Sequence, residues 1–233
     1  MKYIELSHYV KDGLISYPGM PPVEISAYMT REECGAAFGA TGAAMLDQIK
    51  MVNISGTYID APYHRFEDGY KIGDIPLEKL VDLDTYVIHL DPQKGYFDID
   101  DFRKLSDEDL EGTAVLCHSG HDEKFMTPDY EKNVPYITLE AAKWLMERGV
   151  AVVGIDTQLV DNFNERDNPD YPGDVVHDEI LSHLSVICED MINLGQLPDK
   201  GARLYVVPIR VAMASFPARV FAIVDENDGS TLL

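Results

Sequence analysis

Residues 54–64 read Ile-Ser-Gly-Thr-Tyr-Ile-Asp-Ala-Pro-Tyr-His. A carboxylate at Asp60 and an imidazole at His64 stand four residues apart in a segment turned by Gly56 and stiffened by Pro62. These are donor types that hold a divalent cation. The stretch points to one half of a metal-hydrolase site, and the rest of the chain has to supply the other half.

The 233 residues suffice for one large domain, 1–233, with a substantial buried core, and no Ser/Gly/Pro-rich linker divides them. Asp and Glu outnumber Lys and Arg by 41 to 19, a formal charge of −22. Long-range repulsion then disfavours phosphate backbones and anionic bilayers, so neither nucleic acid nor membrane is expected as a partner. The N-terminus Met-Lys-Tyr-Ile-Glu-Leu-Ser-His has no uninterrupted apolar run, and no stretch approaches the ~20 apolar residues of a spanning helix. A cytoplasmic location is expected. Cys34, Cys117 and Cys188 are odd in number and form no CxxC pair, which suggests buried thiols rather than disulfides or a structural zinc knuckle.

Short runs rich in branched apolar residues and bounded by Gly, Pro or Asp predict strands at Tyr3–Leu6, Val23–Met29, Ala44–Val52, Thr85–Leu90, Thr113–Cys117, Val150–Ile155, Arg203–Val207 and Arg219–Val224. Eight strands imply a sizeable sheet or barrel. A helix is predicted from Leu139 to Arg148, with Thr138 as N-cap, Glu140 in the first turn and Gly149 just past the end. A second is expected between Asp98 and Leu105, and a third within Val176–Leu184, where Val176, Ile180 and Leu184 recur every four residues. The class is mixed α and β, and the pattern by itself does not order the strands.

A second group of donors lies at His177 and Glu189, twelve residues apart. In a chain with 7 histidines and 41 acidic residues such a spacing arises easily by chance and means little alone. Its weight comes from a resemblance. Gly56, Thr57, Asp60, Pro62 and His64 match the signature His-x-Gly-Thr-His-x-Asp-x-Pro-x-His of the bacterial cyclase family, the arylformamidases, isatin hydrolase and relatives. Tyr17-Pro18-Gly19 resembles that family's aromatic-Pro-Gly substrate loop, and Val115-Leu116 with Gly120 its strand and following Gly. Gly154-Ile155-Asp156-Thr157 with Asp161 matches the run before the second cluster, and His177, Glu189 and Asn193-Leu194 match the cluster itself.

The resemblance implies a β/β/α cyclase-like fold, a barrel-like central mixed sheet flanked by helices, and a metal-dependent hydrolase of a small, often aromatic, amide, lactam or lactone. It places Asp60, His177 and Glu189 as metal ligands, His64 as general acid/base, and Tyr17 in substrate binding. It also implies a homo-oligomer, dimer or tetramer. Two signature histidines fall on Ile54 and Tyr58, so two of the family's first-site ligands are replaced. Two carboxylates and one imidazole still suffice for one divalent metal ion, zinc first, with manganese or iron also suited to an oxygen-rich set.

Several residues admit two readings. Tyr58 can stabilise an oxyanion or ligate as phenolate, or it can be an aromatic packing residue. His118 and His121, which flank Ser119-Gly120, can line the substrate pocket or bind a second metal, or they can be loop histidines bonded to backbone or water. If the segment around Glu189 is extended, Cys188 faces away from the site. At the level of function, the alternatives are a catalytically degenerate small-molecule binding protein on the same fold and a metal-free acyl-transfer enzyme with a cysteine nucleophile. The chain has no Gly-x-Ser-x-Gly elbow.

Overall fold

β-Branched side chains suit the pleated, extended backbone, and in this chain they form strands whose alternate residues divide two apolar layers between them. The computed structural model describes residues 1–17 and 19–225. Along them run β1 (Lys2–Glu5), β2 (Glu24–Met29), α1 (Arg31–Phe38), β3 (Leu46–Lys50), β4 (Tyr58–Asp60), β5 (Val81–His89), β6 (Tyr96–Phe97), α2 (Ile99–Phe102) and β7 (Ala114–His118). Then follow β8 (Tyr136–Ile137), α3 (Leu139–Glu147), β9 (Val152–Ile155), α4 (Val175–Ser182), β10 (Val186–Glu189), β11 (Lys200–Pro208) and β12 (Ser215–Val224).

The main sheet has the order β1-β12-β11-β5-β7-β9-β10-β4, and β4 pairs back onto β12. Seven strands, β12 through β4, therefore close a mixed barrel, with β1 added antiparallel along the far half of β12. β5, β7, β9 and β10 are mutually parallel, and the remaining pairs are antiparallel. This is the barrel-like sheet flanked by helices that the family resemblance implies.

Ala114 and Leu116 of β7, Val152 of β9, Cys188 of β10 and Ile59 of β4 point into the barrel with Leu204, Val206 and Val220. Their strand neighbours Val115, Cys117, Val153, Ile155 and Ile187 point outward and are covered by Phe102, Ala141, Leu145 and Ile180 from the helices. At roughly 1.5–3 kcal/mol per fully buried large aliphatic side chain, these two layers are the main stabilising term. Thr138 caps α3 by accepting from Ala141 N, and Gly149 takes the left-handed conformation (φ 74°) at its end, as the sequence predicts.

The structure differs from the sequence reading in several elements, the short strands β6 and β8 among them. The Ala44–Val52 run yields only Leu46–Lys50, in a separate ribbon with β2 rather than in the barrel. β4 and β10, which carry the site, were not among the predicted strands; they are three and four residues long, and their polar site residues break the apolar pattern. α1 was also not predicted, although Thr30 and Glu33 form a reciprocal capping box that Thr-x-x-Glu announces. All three cysteines are free and buried, as expected. Among the described residues no helix is long and apolar enough to cross a membrane.

Candidate active site and metal centre

The site forms on the outer wall of the barrel, where α4 meets β4 and β10. In β4, Ile59 faces the barrel interior, so Tyr58 and Asp60 face the helices. In β10 the inward residue is Cys188, and Glu189, in register with Tyr58, faces the same way as Asp60. The first turns of α4 add His177, and a 3-10 turn over Pro62–His64 adds His64. Asp60, Glu189 and His177 are buried to 1 %, 0 % and 3 % exposure, and the His64 side chain is one-third exposed.

His177 Nε2 lies 3.6 Å from Asp60 Oδ2 and 3.6 Å from Glu189 Oε1. Its Nδ1 is 2.7 Å from Asp161 Oδ2, and Asp161 also accepts from the backbone N–H groups of Val176 (2.8 Å) and His177 (3.0 Å) at the start of α4. One carboxylate thus holds both the helix terminus and the ring. As a carboxylate, Asp161 can only accept, so Nδ1 carries a proton toward it. Nε2 is the ring atom aimed at Asp60 and Glu189, where it can present a lone pair to a cation that displaces its proton. Within the described residues, ligand atoms of Asp60, His64 and His177 lie within 4.8 Å of one another.

Ser215, wholly buried on β12 and in register with Asp60, went unnoticed in the sequence. Its hydroxyl donates to Asp60 Oδ1, and its oxygen lies 3.1 Å from His64 Nδ1. A hydroxyl has one proton, so His64 Nδ1–H must be the donor in the second contact, which leaves Nε2 as the basic nitrogen of His64. No local motif marks Ser215. The signal is its register opposite Asp60, which only barrel closure supplies.

The Tyr58 hydroxyl donates to Glu189 Oε2 and lies 3.3 Å from the Gln158 carbonyl, while Glu189 Oε1 accepts from Val160 N at 2.6 Å. Burial, followed by the Glu189 and Asp60 carboxylates, holds Tyr58 well above the usual phenol range, so it serves as a neutral donor rather than a phenolate. Burial pushes Glu189 up to about 8, with His177 opposing and Asp60 reinforcing the shift. Burial alone would depress His177, but the Glu189, Asp161 and Asp60 carboxylates outweigh it and hold the imidazole well above its ordinary value. Three buried carboxylates around one imidazole form a negative cavity that protons only partly compensate. That charge and donor set fits a divalent cation.

The remaining candidates are more distant. The half-buried Tyr17 ring meets Phe163 edge-on at 5.9 Å, and Ser16 Oγ accepts from Gly56 N at 2.8 Å, so the loop carrying Tyr17 is tied to the signature segment. Pro18 of that loop lies outside the described residues. His118 ends β7, two strands from β10, where its Nδ1 lies 2.8 Å from His89 Nδ1; the structure does not bring it into the Asp60 cluster. His121, also a loop histidine, contacts the Tyr130 carbonyl at 2.7 Å. Ile54 is half-buried, and its carbonyl is 3.4 Å from Ser16 Oγ. Cys117 and Cys188 are wholly buried, and burial holds both thiols well above their usual range, so neither offers a thiolate nucleophile. Asp156 accepts from Ser119 N, Ser119 Oγ and Gly120 N at 2.6–2.8 Å and clamps the loop after β7 to the loop after β9.

Residues 4–162 match the family model described as "Putative cyclase", more than half of the chain. The protein belongs to the cyclase family. This cyclase-family chain is 24% identical over 219 residues to a kynurenine formamidase of Bacillus cytotoxicus, covering 91% of this chain and 92% of that one. It is 22% identical over 220 residues to the kynurenine formamidase of Bacillus anthracis, with the same coverage. Its fold is similar to that of an isatin hydrolase bound to the product analogue thioisatinate (TM-score 0.79, 18% identity, 97% of this chain and 93% of the other). It is equally similar to isatin hydrolase A from Labrenzia aggregata bound to benzyl benzoate (TM-score 0.79, 22% identity, 97% and 94%).

Proposed function

We propose that this cyclase-family protein is a metal-dependent hydrolase of a small amide, lactam or lactone, with an aromatic substrate of the formamidase type favoured. The observation that carries the reading is the convergence of His177 Nε2, Asp60 and Glu189, with Asp161 fixing the ring from behind. Its hydrolase relatives support the reaction class.

Asp60, His177 and Glu189 would hold one divalent ion, zinc first and manganese or iron as alternatives. When bound, such an ion lowers the pKa of water and polarises a carbonyl. The protein's own groups do the rest. Asp161 keeps the proton on His177 Nδ1, and Ser215 keeps one on His64 Nδ1, so the exposed His64 Nε2 can take a proton from water and return it to the leaving nitrogen or oxygen. Tyr58 stands in the place of one family histidine and donates to Glu189, and Ile54 stands in the place of another, which favours one ion over two. Tyr17, edge-on to Phe163, is placed to wall a flat substrate.

A second division of labour has one specific observation behind it, since His64 also offers a ligand atom within 4.8 Å of those of Asp60 and His177. His64→Gln separates the two. If His64 is the base, metal content measured by elemental mass spectrometry stays at the wild-type level while turnover is lost; if it is a ligand, metal is lost as well. The reaction class itself is tested by the metal content of untagged protein against Asp60→Ala/His177→Ala, followed by a screen of formamides, lactams and lactones. Protein that takes up no zinc, manganese or iron would refute the hydrolase reading and favour a small-molecule binding protein.

A further inference from the structure

His89 ends β5 and His118 ends β7, and the two parallel strands place them directly in register. Val87 and Leu116, two residues earlier on each strand, point into the barrel. Side chains alternate along a strand, so both histidines continue the inward series at the mouth of the barrel. Their Nδ1 atoms are 2.8 Å apart, and the rings stand nearly perpendicular, at 87°. Neither belongs to the candidate active centre, which lies on the outer wall beside α4, with β10 two strands from β7.

Like nitrogens at that distance have to share a proton, because two lone pairs or two N–H groups would repel. Asp199 Oδ1 lies 3.2 Å from His89 Nε2 and accepts that ring's proton, which leaves His89 Nδ1 as the lone pair. His118 Nδ1–H is then the donor. Gly195 packs against the His118 ring, where a Cβ would meet Cε1 at 2.9 Å and Nε2 at 3.0 Å. Burial, reinforced on His89 by its neighbour His118, holds both imidazoles below their ordinary value, against the pull of Asp199 on one and Asp122 on the other. Both rings are therefore neutral near neutral pH, and each has a lone pair to give.

We propose that His89 and His118 form a cation site of their own, a two-imidazole chelate for divalent copper or nickel at the barrel mouth. Metal–nitrogen bonds of about 2.0–2.1 Å set two ligands about 2.9 Å apart at a right angle and about 3.3 Å apart in a tetrahedron. The observed 2.8 Å matches the right angle of a tetragonal ion, and copper heads the affinity order for such nitrogen sites. The cation takes the place of the shared proton, which moves to His118 Nε2, so that both Nδ1 lone pairs converge on the metal. Asp199 stays behind His89 as the carboxylate that fixes a ligating ring. Among the described residues no third His, Cys, Asp or Glu joins the pair, so water fills the remaining positions. The formal charge of −22 favours cation entry, and 38% of the His89 side chain is open to solvent.

The test is a copper(II) titration of the full chain carrying Asp60→Ala/His177→Ala, in which the candidate active centre no longer competes, read by electron paramagnetic resonance. The expected result is about one copper per chain, coupled to two imidazole nitrogens. His89→Asn or His118→Asn, each of which keeps a polar atom near the Nδ1 position, should leave a single coupled nitrogen. Each should also weaken copper binding by about 100-fold or more, since a second tethered ligand raises affinity by about 10²–10⁴. Asp199→Ala should weaken it by about tenfold, whereas His183→Asn, at an exposed histidine paired with Glu179, should change nothing. Metal-free melting curves guard against a variant that merely unfolds, and crystals of the unmodified chain soaked in copper should show an anomalous peak between the two Nδ1 atoms. No bound copper, copper coupled to one nitrogen, or copper that persists in both His89→Asn and His118→Asn overturns the proposal.

Discussion

Asp161 matters at the residue scale because a carboxylate and an amide impose opposite tautomers on the imidazole they touch. Asp161→Asn with its oxygen on Val176 N keeps that bond, but its NH₂ then takes the Oδ2 place. There it loses the bond from His177 N, faces Nδ1 and drives the ring proton to Nε2, where a ligand lone pair is needed. Metal affinity should fall about 10–100-fold with the fold retained, as competition with a chelating dye would show. Unchanged affinity would remove Asp161 from its orienting role. Ile54 and Tyr58 make a second residue-scale case. Restoring imidazoles with Ile54→His/Tyr58→His removes the donor to Glu189 and supplies two new ligands. The cation-to-chain ratio is then expected to rise from about one toward two. A ratio that does not move would mean that these positions do not set the stoichiometry.

At the element scale, the close packing of β9 against β7 depends on Gly154. A Cβ there would meet Leu116 Cδ2 at 2.5 Å and Met191 S at 2.6 Å, inside the closed barrel. Gly154→Ala should therefore cost about 1–3 kcal/mol through overpacking, read as a lower urea midpoint at unchanged slope. An unshifted midpoint would show that Leu116 and Met191 move aside freely. The loop after β10 adds a pH dependence. Asp190 is wholly buried, and burial pushes its carboxyl up to about 7 against the hydrogen bond that Tyr130 donates. The folded chain thus holds a proton that the unfolded chain releases near pH 4. The resulting stability is present below that range, falls as pH rises toward 7 and is gone above it. Asp190→Asn keeps an acceptor for Tyr130 and removes the titration, so its gain over the unmodified protein should be larger at pH 8 than at pH 5. Equal gains in metal-free protein would refute this assignment.

Over the whole molecule, folding brings Asp60, Asp161 and Glu189 around a single imidazole, an excess of negative charge that a cation relieves. Chelation should lower the melting temperature, and returning the metal should restore it; at a free-metal concentration 100 times its dissociation constant the difference is about 2.7 kcal/mol. Identical melting curves with and without metal would show that no cation is bound in this cavity.

The fold class and most strands were legible because branched residues between Gly, Pro and Asp report extended backbone locally, as at Thr113–Cys117 and Val150–Ile155. The helix after Thr138 was legible from its cap and its terminal glycine. Asp60, His64, His177 and Glu189 were visible as chemistry-bearing residues only through a resemblance that links distant segments. Ser215 and the Tyr58–Glu189 pairing were not visible, because both rest on register between strands far apart in sequence. By itself the sequence determined which side chains could do chemistry and which stretches would extend or coil, since those depend on residue type and neighbours. Only the tertiary structure decided that β4 closes the barrel onto β12, that the site faces α4 rather than the barrel interior, and which proton each histidine carries. Those outcomes depend on strand parity and on contacts between segments apart in the sequence, from 16 residues for Asp161 and His177 to 155 for Asp60 and Ser215, which no local pattern encodes.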